Sequence, residues 1–427
     1  MADLFDYIQW RGDLSFKQDP VNRVDALLFS ALSYISFGGS MEERPEIPVS
    51  LREASEEFLR RTDAEERCRV KSDMSLLMAA AESNRFGNTL LLQYRSILLP
   101  EEETQFAAIT FLLDDDSGFI AFRGTDYSLV GWKEDFNMTF QQTIPAQRLA
   151  LQYTREIALE YLRPMRLGGH SKGGNLAVFA AARSSPMIQQ RILSVYNHDG
   201  PGFTKYLMGD PGYLVMVPRI HTYIPQSSVL GMLLEHEEPY TVIRSKTIGL
   251  LQHDLYSWEV MGKAFVPVQE ITDSSQFLDA TIKTWFADMT NQERNQLVDA
   301  MFTLLGTGGV DNAIDIFHPR NIRNYLKTLS SDANMRRILS SEFQGLVEAA
   351  RRTRTKFEQQ RLLELMEQAE NMSDLLEIEG RLTDVRYELE SVASRLRGYD
   401  NKVNYATIYL YIEEVTEYTP VAEETLW

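Results

Sequence analysis

Gly169-His170-Ser171-Lys172-Gly173 is the stretch whose residue types and spacing point most directly to chemistry. A serine with glycines two positions away on either side fits a nucleophile held on a turn too tight for flanking side chains. The pentapeptide alone is weak evidence, so its neighbours have to carry the reading. Met165 to Gly168 predicts a short strand leading in, and Gly173 to Ala182 predicts a helix of small residues leading out. Strand, sharp turn and helix place the serine above a helix N-terminus, where developing negative charge is favoured. The chemistry expected is attack of the Ser171 hydroxyl on an acyl carbonyl, by a mechanism that calls for no cofactor and no metal.

A hydroxyl needs a base, and the base needs a group to orient it. In this arrangement the acid and the histidine follow the serine in the chain. His170 is adjacent to the serine and points elsewhere, which leaves His198, His221, His236, His253 and His318. His253 follows the last clear strand, where a base arrives at the carboxyl edge of a sheet, and is the expected base. Asp199 follows the strand Ile192 to Asn197 directly, at the strand end that faces the ligand crevice in such sheets. It is the expected acid, with Asp254 and Glu235 as alternatives. For the oxyanion, one donor is the backbone N–H of Lys172, the residue after the nucleophile. A second comes from Phe122-Arg123-Gly124-Thr125-Asp126, through Thr125 and Asp126.

These residues need a scaffold. Phe106 to Leu113 and Phe119 to Phe122 read as a hairpin across Asp114 to Gly118. Gln147 to Leu162 reads as a helix, and Ile192 to Asn197, Ile220 to Ile224 and Tyr240 to Ile243 as strands. Strands alternating with helices predict an α/β fold with a mainly parallel sheet flanked by helices. The first hundred residues read mainly as helices, with Asp19-Pro20 as a start signal before Val24, Leu27, Leu28, Ala31 and Leu32. The chain turns helical again from about Asp273. Near its end Leu375, Ile378, Leu382, Val385, Leu389, Val392 and Leu396 alternate steps of three and four, the seam of a coiled coil or long packed helix. Leu362, Leu365, Met366 and Ala369 supply a similar stripe, Asn371-Met372-Ser373 a turn, and Tyr405 to Ile412 a two-faced strand. The expected division is a domain over 1–330, with a helical extension over 1–100, and a helical-hairpin or coiled-coil module with a terminal strand over 331–427.

The chain has 427 residues and a formal net charge of -18. An acidic surface repels phosphate backbones, so nucleic acid is not an expected partner. One cysteine, Cys68, allows no intramolecular disulfide and no thiolate metal cluster. The start lacks the pattern of a signal peptide, and no early apolar stretch is long enough to span a bilayer. A cytoplasmic location is the default expectation.

At Phe122 to Thr125 and Gly169 to Ser171 the sequence resembles the class 3, fungal-type lipases of the α/β-hydrolase superfamily. More closely it resembles a bacterial branch of lipase-like proteins, through Asp19 to Asn22 with Asp25, Phe122 to Asp126, Gly131-Trp132-Lys133-Glu134-Asp135-Phe136, Gly169 to Leu176, Asp199 to Phe203 and Gln252-His253-Asp254. The resemblance covers roughly residues 1–330 and implies the hydrolase fold, Ser171 as nucleophile and His253 as base. Class 3 lipases carry their acid in an Asp-x-Val-Pro stretch after the next strand, where this chain reads Ile224-Pro225-Gln226-Ser227-Ser228-Val229, without a carboxylate. Residues 355–418 resemble part of a second bacterial domain of unknown function, a helical hairpin followed by a strand. The function expected is hydrolysis of a small acyl ester or lipid through an acyl-enzyme on Ser171. The alternative is a lapsed hydrolase acting as a scaffold, with residues 355–418 packing on a neighbour or a second copy.

Overall fold

Eight strands form one sheet in simple chain order: β1 (Val49–Ser50), β2 (Leu90–Leu99), β3 (Thr104–Leu112), β4 (Gly118–Phe122), β5 (Met165–His170), β6 (Ile192–His198), β7 (Ile220–Pro225) and β8 (Tyr240–Ile243). The computed structural model describes residues 2–307, 309–310, 316, 318–368 and 378–387. Strands β1 to β4 run antiparallel to their neighbours, and β4 to β8 run parallel. This is the α/β fold with a mainly parallel sheet that the alternation of strands and helices predicts.

The period of two along each strand sorts the side chains to opposite faces. On one face Ile109, Phe111, Phe119 and Ala121 join a core with the N-terminal helices and with Trp258 and Phe265. On the other, Phe106, Ala108, Ile120 and Phe122 pack with the helices Pro145–Glu160 and Lys172–Arg183. The N-terminal helices are therefore one of the two layers that cover the sheet. In helix Arg23–Leu32, Phe29 sets its ring 4.7 Å from Phe111 and 4.9 Å from Phe119.

Two sequence expectations change here. The first hundred residues include β2, a strand of ten residues. Its alternation is broken at Gln93, whose φ is +53°, and the register with β3 shifts between Leu92 and Arg95. A bulge inserts one residue and flips the pattern that would otherwise announce a strand. The helix start also lies later than Asp19-Pro20. Asn22 is the cap: its side chain accepts from the Val24 and Asp25 N–H groups, and Asp25 accepts from the Asn22 N–H at 2.9 Å. That reciprocal pair satisfies donors at the open end of the helix.

The chain divides into two units, Met1–Ala350 and Arg351–Trp427, at a point inside helix Ala333–Gln368. In the second unit Leu362, Leu382 and Val385 form a small buried cluster with the partly buried Leu363 and Ile378. Leu365 and Met366, expected in the same stripe as Leu362, are exposed. Ala369, the 371–373 turn, the seam positions Leu375, Leu389, Val392 and Leu396, and the strand 405–412 lie outside the described residues. Among the described residues no helix is long and apolar enough to cross a membrane.

Asp25 does more than cap. It accepts from Arg85 Nε at 2.8 Å and Nη2 at 2.6 Å and from the Tyr7 hydroxyl at 2.8 Å, and both charged side chains are fully buried. Removing one partner of a buried pair leaves an uncompensated charge. Asp25→Ala is expected to lose about 3–5 kcal/mol of stability, read by urea unfolding. A loss within experimental error of zero would show that the pair does not hold the N-terminal layer.

Candidate active site

Strand β5 ends at His170, and the chain turns into helix Lys172–Arg183 through one residue, Ser171, at φ +58° and ψ −133°. A non-glycine residue in this region is strained and persists only where its surroundings fix it. Here the Ser171 N–H donates to the His198 carbonyl at 2.9 Å, and the Ser171 carbonyl accepts from the Gly174 N–H at 2.9 Å. The turn also needs backbone against backbone. A methyl group on Gly169 would lie 2.2 Å from the Gly173 carbonyl carbon, and one on Gly173 would lie 2.1 Å from the Phe122 oxygen. These two positions explain the glycine spacing of the motif.

Asp199 stands one residue past β6, fully buried, with its N–H on the Tyr223 carbonyl at 2.8 Å. Its φ is +53°, a conformation that aspartate tolerates better than most residues. The turn behind it is held by Asn197, which accepts from the Gly200 N–H at 2.9 Å, and by Asn175, which donates to the Pro201 and Gly202 carbonyls. Asp199 Oδ2 accepts from His253 Nδ1 at 2.6 Å. Its other oxygen, Oδ1, accepts from the Ser228 hydroxyl. Ser228 lies in the Gln226-Ser227-Ser228 stretch that lacks a carboxylate, so this loop contributes a hydroxyl to the acid on the neighbouring strand.

His253 ends a short 3₁₀ segment, Gly249–His253. The preceding residue anchors it: Gln252 accepts from the Ser227 N–H at 2.7 Å and donates to the Thr247 carbonyl at 2.8 Å. A second clamp comes from the nucleophile's neighbour. His170 Nε2 donates to the His253 carbonyl at 2.8 Å, and the two rings lie 4.5 Å apart. A carbonyl only accepts, so the proton is on Nε2, and His170 Nδ1 accepts from the Tyr34 hydroxyl at 2.8 Å. Burial, with the neighbouring His253 next in weight, holds the His170 imidazole neutral, well below its ordinary range. Burial also pushes the Tyr34 phenol up, which keeps it a donor.

Ser171, Asp199 and His253 are thus gathered at the carboxyl ends of β5 and β6, with the Asp–His leg closed. The Ser171 hydroxyl makes no hydrogen bond among the described residues. The Lys172 N–H opens its helix, where no intrahelical acceptor exists. The loop after β4 reaches the serine, since a methyl on Gly124 would lie 3.1 Å from Ser171 Cβ. The Thr125 hydroxyl, however, is spent on Asp135 Oδ2 at 2.5 Å. The Asp126 carboxylate accepts from the Ser128 N–H at 2.9 Å and shapes its own loop.

The remaining candidates lie apart from this contact. The Asp254 carboxylate accepts from the Tyr256 N–H at 3.3 Å and faces Arg69 at 3.9 Å. Glu235 pairs with Phe203 through its backbone. His198 is buried among Tyr196, Tyr223 and Trp258, and burial pushes its imidazole down to about 3. His221 stacks on Tyr196, His236 bonds Glu238 at 2.9 Å, and His318 caps helix Pro319–Ser331.

Sequence reasoning passed over a charged cluster under the elbow. The Lys172 side chain is fully buried, and its Nζ donates to Gln105 O at 2.8 Å, Gln105 Oε1 at 2.7 Å and Glu134 Oε2 at 2.9 Å. Glu134 and Asp135 come from helix Leu129–Asn137. Burial raises the Asp135 carboxyl from its ordinary 3.8 to about 6, although Lys172 pulls it back down. The Gly131 to Phe136 stretch was the available signal, yet nothing in its spacing assigns Glu134 or Asp135 a partner.

Residues 80–303 match the model of the Mbeg1-like family. Residues 347–427 match the model of a domain of unknown function, DUF4349. A comparison with curated proteins finds no match. Among solved structures, the native Rhizomucor miehei lipase propeptide complex is similar at 13% identity and a TM-score of 0.32, over 51% of this chain and 67% of that one.

The Asp135 shift carries a stability consequence. The folded state holds this proton more tightly than the unfolded chain does, so the contribution favours folding at low pH. It is withdrawn as pH rises from 3.8 to about 6. Asp135→Asn removes the titration. The stability of the variant relative to the wild type is expected to rise across that window and to level off above it, read by thermal unfolding against pH. A gap that does not change with pH would contradict the assignment.

Proposed function

The chain belongs to the Mbeg1-like family, which is lipase-like, and from that premise we propose that it hydrolyses carboxylic esters through an acyl-enzyme on Ser171. The single observation that carries the reading is the 2.6 Å bond between Asp199 and His253 Nδ1, formed beside a serine on a strained strand-to-helix turn.

In this reaction Ser171 Oγ attacks the acyl carbonyl, and its proton passes to His253 Nε2. Asp199 fixes the tautomer: with Nδ1–H donated to the carboxylate, Nε2 presents its lone pair to the serine. The imidazolium that forms is stabilised by the same carboxylate. The oxyanion is received by the Lys172 N–H and by the N–H groups of the Thr125-Asp126 loop, at the positive end of the elbow helix. The carbonyl–alkoxide bond then breaks, and His253 gives its proton to the departing alcohol. Water repeats the sequence on the acyl-enzyme, with His253 as base, and releases the acid.

The alternative, a lapsed hydrolase acting as a scaffold, rests on the missing carboxylate after Pro225 and on the heptads from Leu375 to Leu396. Asp199 supports the catalytic reading instead, because a buried carboxylate already sits on the histidine from one strand earlier. The substrate is a small acyl ester or lipid in this proposal, and residues 355–418 remain a proposed surface for a neighbour or a second copy.

A fluorophosphonate probe tests the proposal. Labelling of the folded wild type and none of Ser171→Ala is the expected outcome. Asp199→Asn, which leaves the geometry but mis-sets the tautomer, is expected to lower kcat on the order of a thousandfold or more. A folded wild type that takes no label overturns the reading.

A further inference from the structure

The buried Lys172 side chain lies next to the nucleophile and has no part in the proton transfers just described. All three of its N–H donors are used, on Gln105 O, Gln105 Oε1 and Glu134 Oε2. Glu134 is itself fully engaged, since it also accepts from the Gln105 N–H at 3.0 Å and from the Ala146 N–H at 2.9 Å. One ammonium thus ties together the start of β3, the helix Leu129–Asn137, the first turn of helix Pro145–Glu160 and the elbow.

Asp135 lies beside this knot. Its Oδ2 takes the Thr125 hydroxyl, and its Oδ1 is buried, makes no hydrogen bond and lies 3.9 Å from Lys172 Nζ. Two adjacent carboxylates, Glu134 and Asp135, therefore stand behind the loop that borders the oxyanion position. Negative charge there opposes an oxyanion in a low-dielectric surrounding. The titratable groups around Asp135 include Lys172, Glu134, His253 and Tyr34, and Lys172 is the cation buried among them.

We propose that the Lys172 side chain is a positioning residue for the oxyanion site: its charge offsets Glu134 and Asp135 and pins the Thr125 loop against the elbow. The residue then acts twice, through its backbone N–H on the oxyanion and through its ammonium on the loop opposite. This inference rests on the serine-hydrolase reading.

A short-chain p-nitrophenyl ester and the fluorophosphonate probe test it on the full chain. Lys172→Met leaves Glu134 buried without a cation, so folding is checked first by circular dichroism. Lys172→Met/Glu134→Gln replaces the ion pair by neutral groups of similar size, a change buried pairs often tolerate. The double variant is expected to melt close to the wild type and to keep KM, while kcat falls about tenfold or more. Lys172 weighs more on Asp135 than Glu134 does, so Asp135 holds its proton to higher pH in the double variant. A protonated Asp135 does not oppose the oxyanion, so the loss of kcat is smallest on the acid side and grows as pH rises. A double variant with wild-type kcat and an unmoved pH profile overturns the inference and makes the pair a structural tie only. A wild type that neither turns over the ester nor takes the probe overturns the hydrolase reading itself, which is a separate result.

Discussion

One contact of backbone on backbone governs this site. The Phe122 carbonyl at the end of β4 lies against Gly173, and Gly169 lies against the same helix turn, at distances that exclude a Cβ on either glycine. Only with that approach does β5 end in a single-residue turn, and only then does Ser171 stand at φ +58°. Such a conformation costs about 1–3 kcal/mol. The offset is local and large: Leu176 through Ala182 are buried on the layer that packs under the sheet, and the Ser171 N–H and carbonyl are both hydrogen-bonded. The elbow is strained because the structure around it over-determines it.

The proposed acid, Asp199, shows how such a sheet can supply a carboxylate from either of two neighbouring strands. Strands β6 and β7 are parallel neighbours, paired from Val195↔Ile220 to His198↔Tyr223, so their carboxyl ends open onto the same crevice. A carboxylate after either strand can face a histidine arriving from the loop beyond β8. In this chain it follows β6, and the loop after β7 supplies the Ser228 hydroxyl in its place. The pair of oxygens on Asp199 is then divided, one on the histidine and one on the serine, and the imidazole is oriented from a fully buried anchor.

The sequence was legible where the information is local. Glycine spacing around Ser171, the hairpin of Phe106 to Phe122 and the short strands after it correspond to structure within one residue or a few. It was silent where the pattern is broken or the partner is distant. Strand β2 was hidden because the bulge at Gln93 inverts the period of its side chains. Lys172 lies 38 residues from Glu134 and 67 from Gln105, and Tyr34 lies 136 residues from His170. A charged or phenolic residue gives no periodic signal, so nothing in one sequence tells whether it is solvated or buried against a specific partner. Ser228 was read only as an absence, a place without a carboxylate, because its role depends on a strand pairing that spacing does not encode.

The two variable positions of the motif divide the remaining work between the sheet faces. His170 is neutral, and its fixed tautomer links the N-terminal layer, through Tyr34, to the backbone of the histidine that ends Gly249–His253. Lys172 turns to the other layer and meets Gln105 and Glu134. An apolar residue at either position would pack, but it would not tie a loop, since dispersion is non-directional while a hydrogen bond to one carbonyl or carboxylate fixes both distance and angle. Burial of His170 and Lys172 is offset because each of their own side-chain donors is matched. In the proposed mechanism the serine needs its partners immobile, and the residues on either side of it are the ones that hold them.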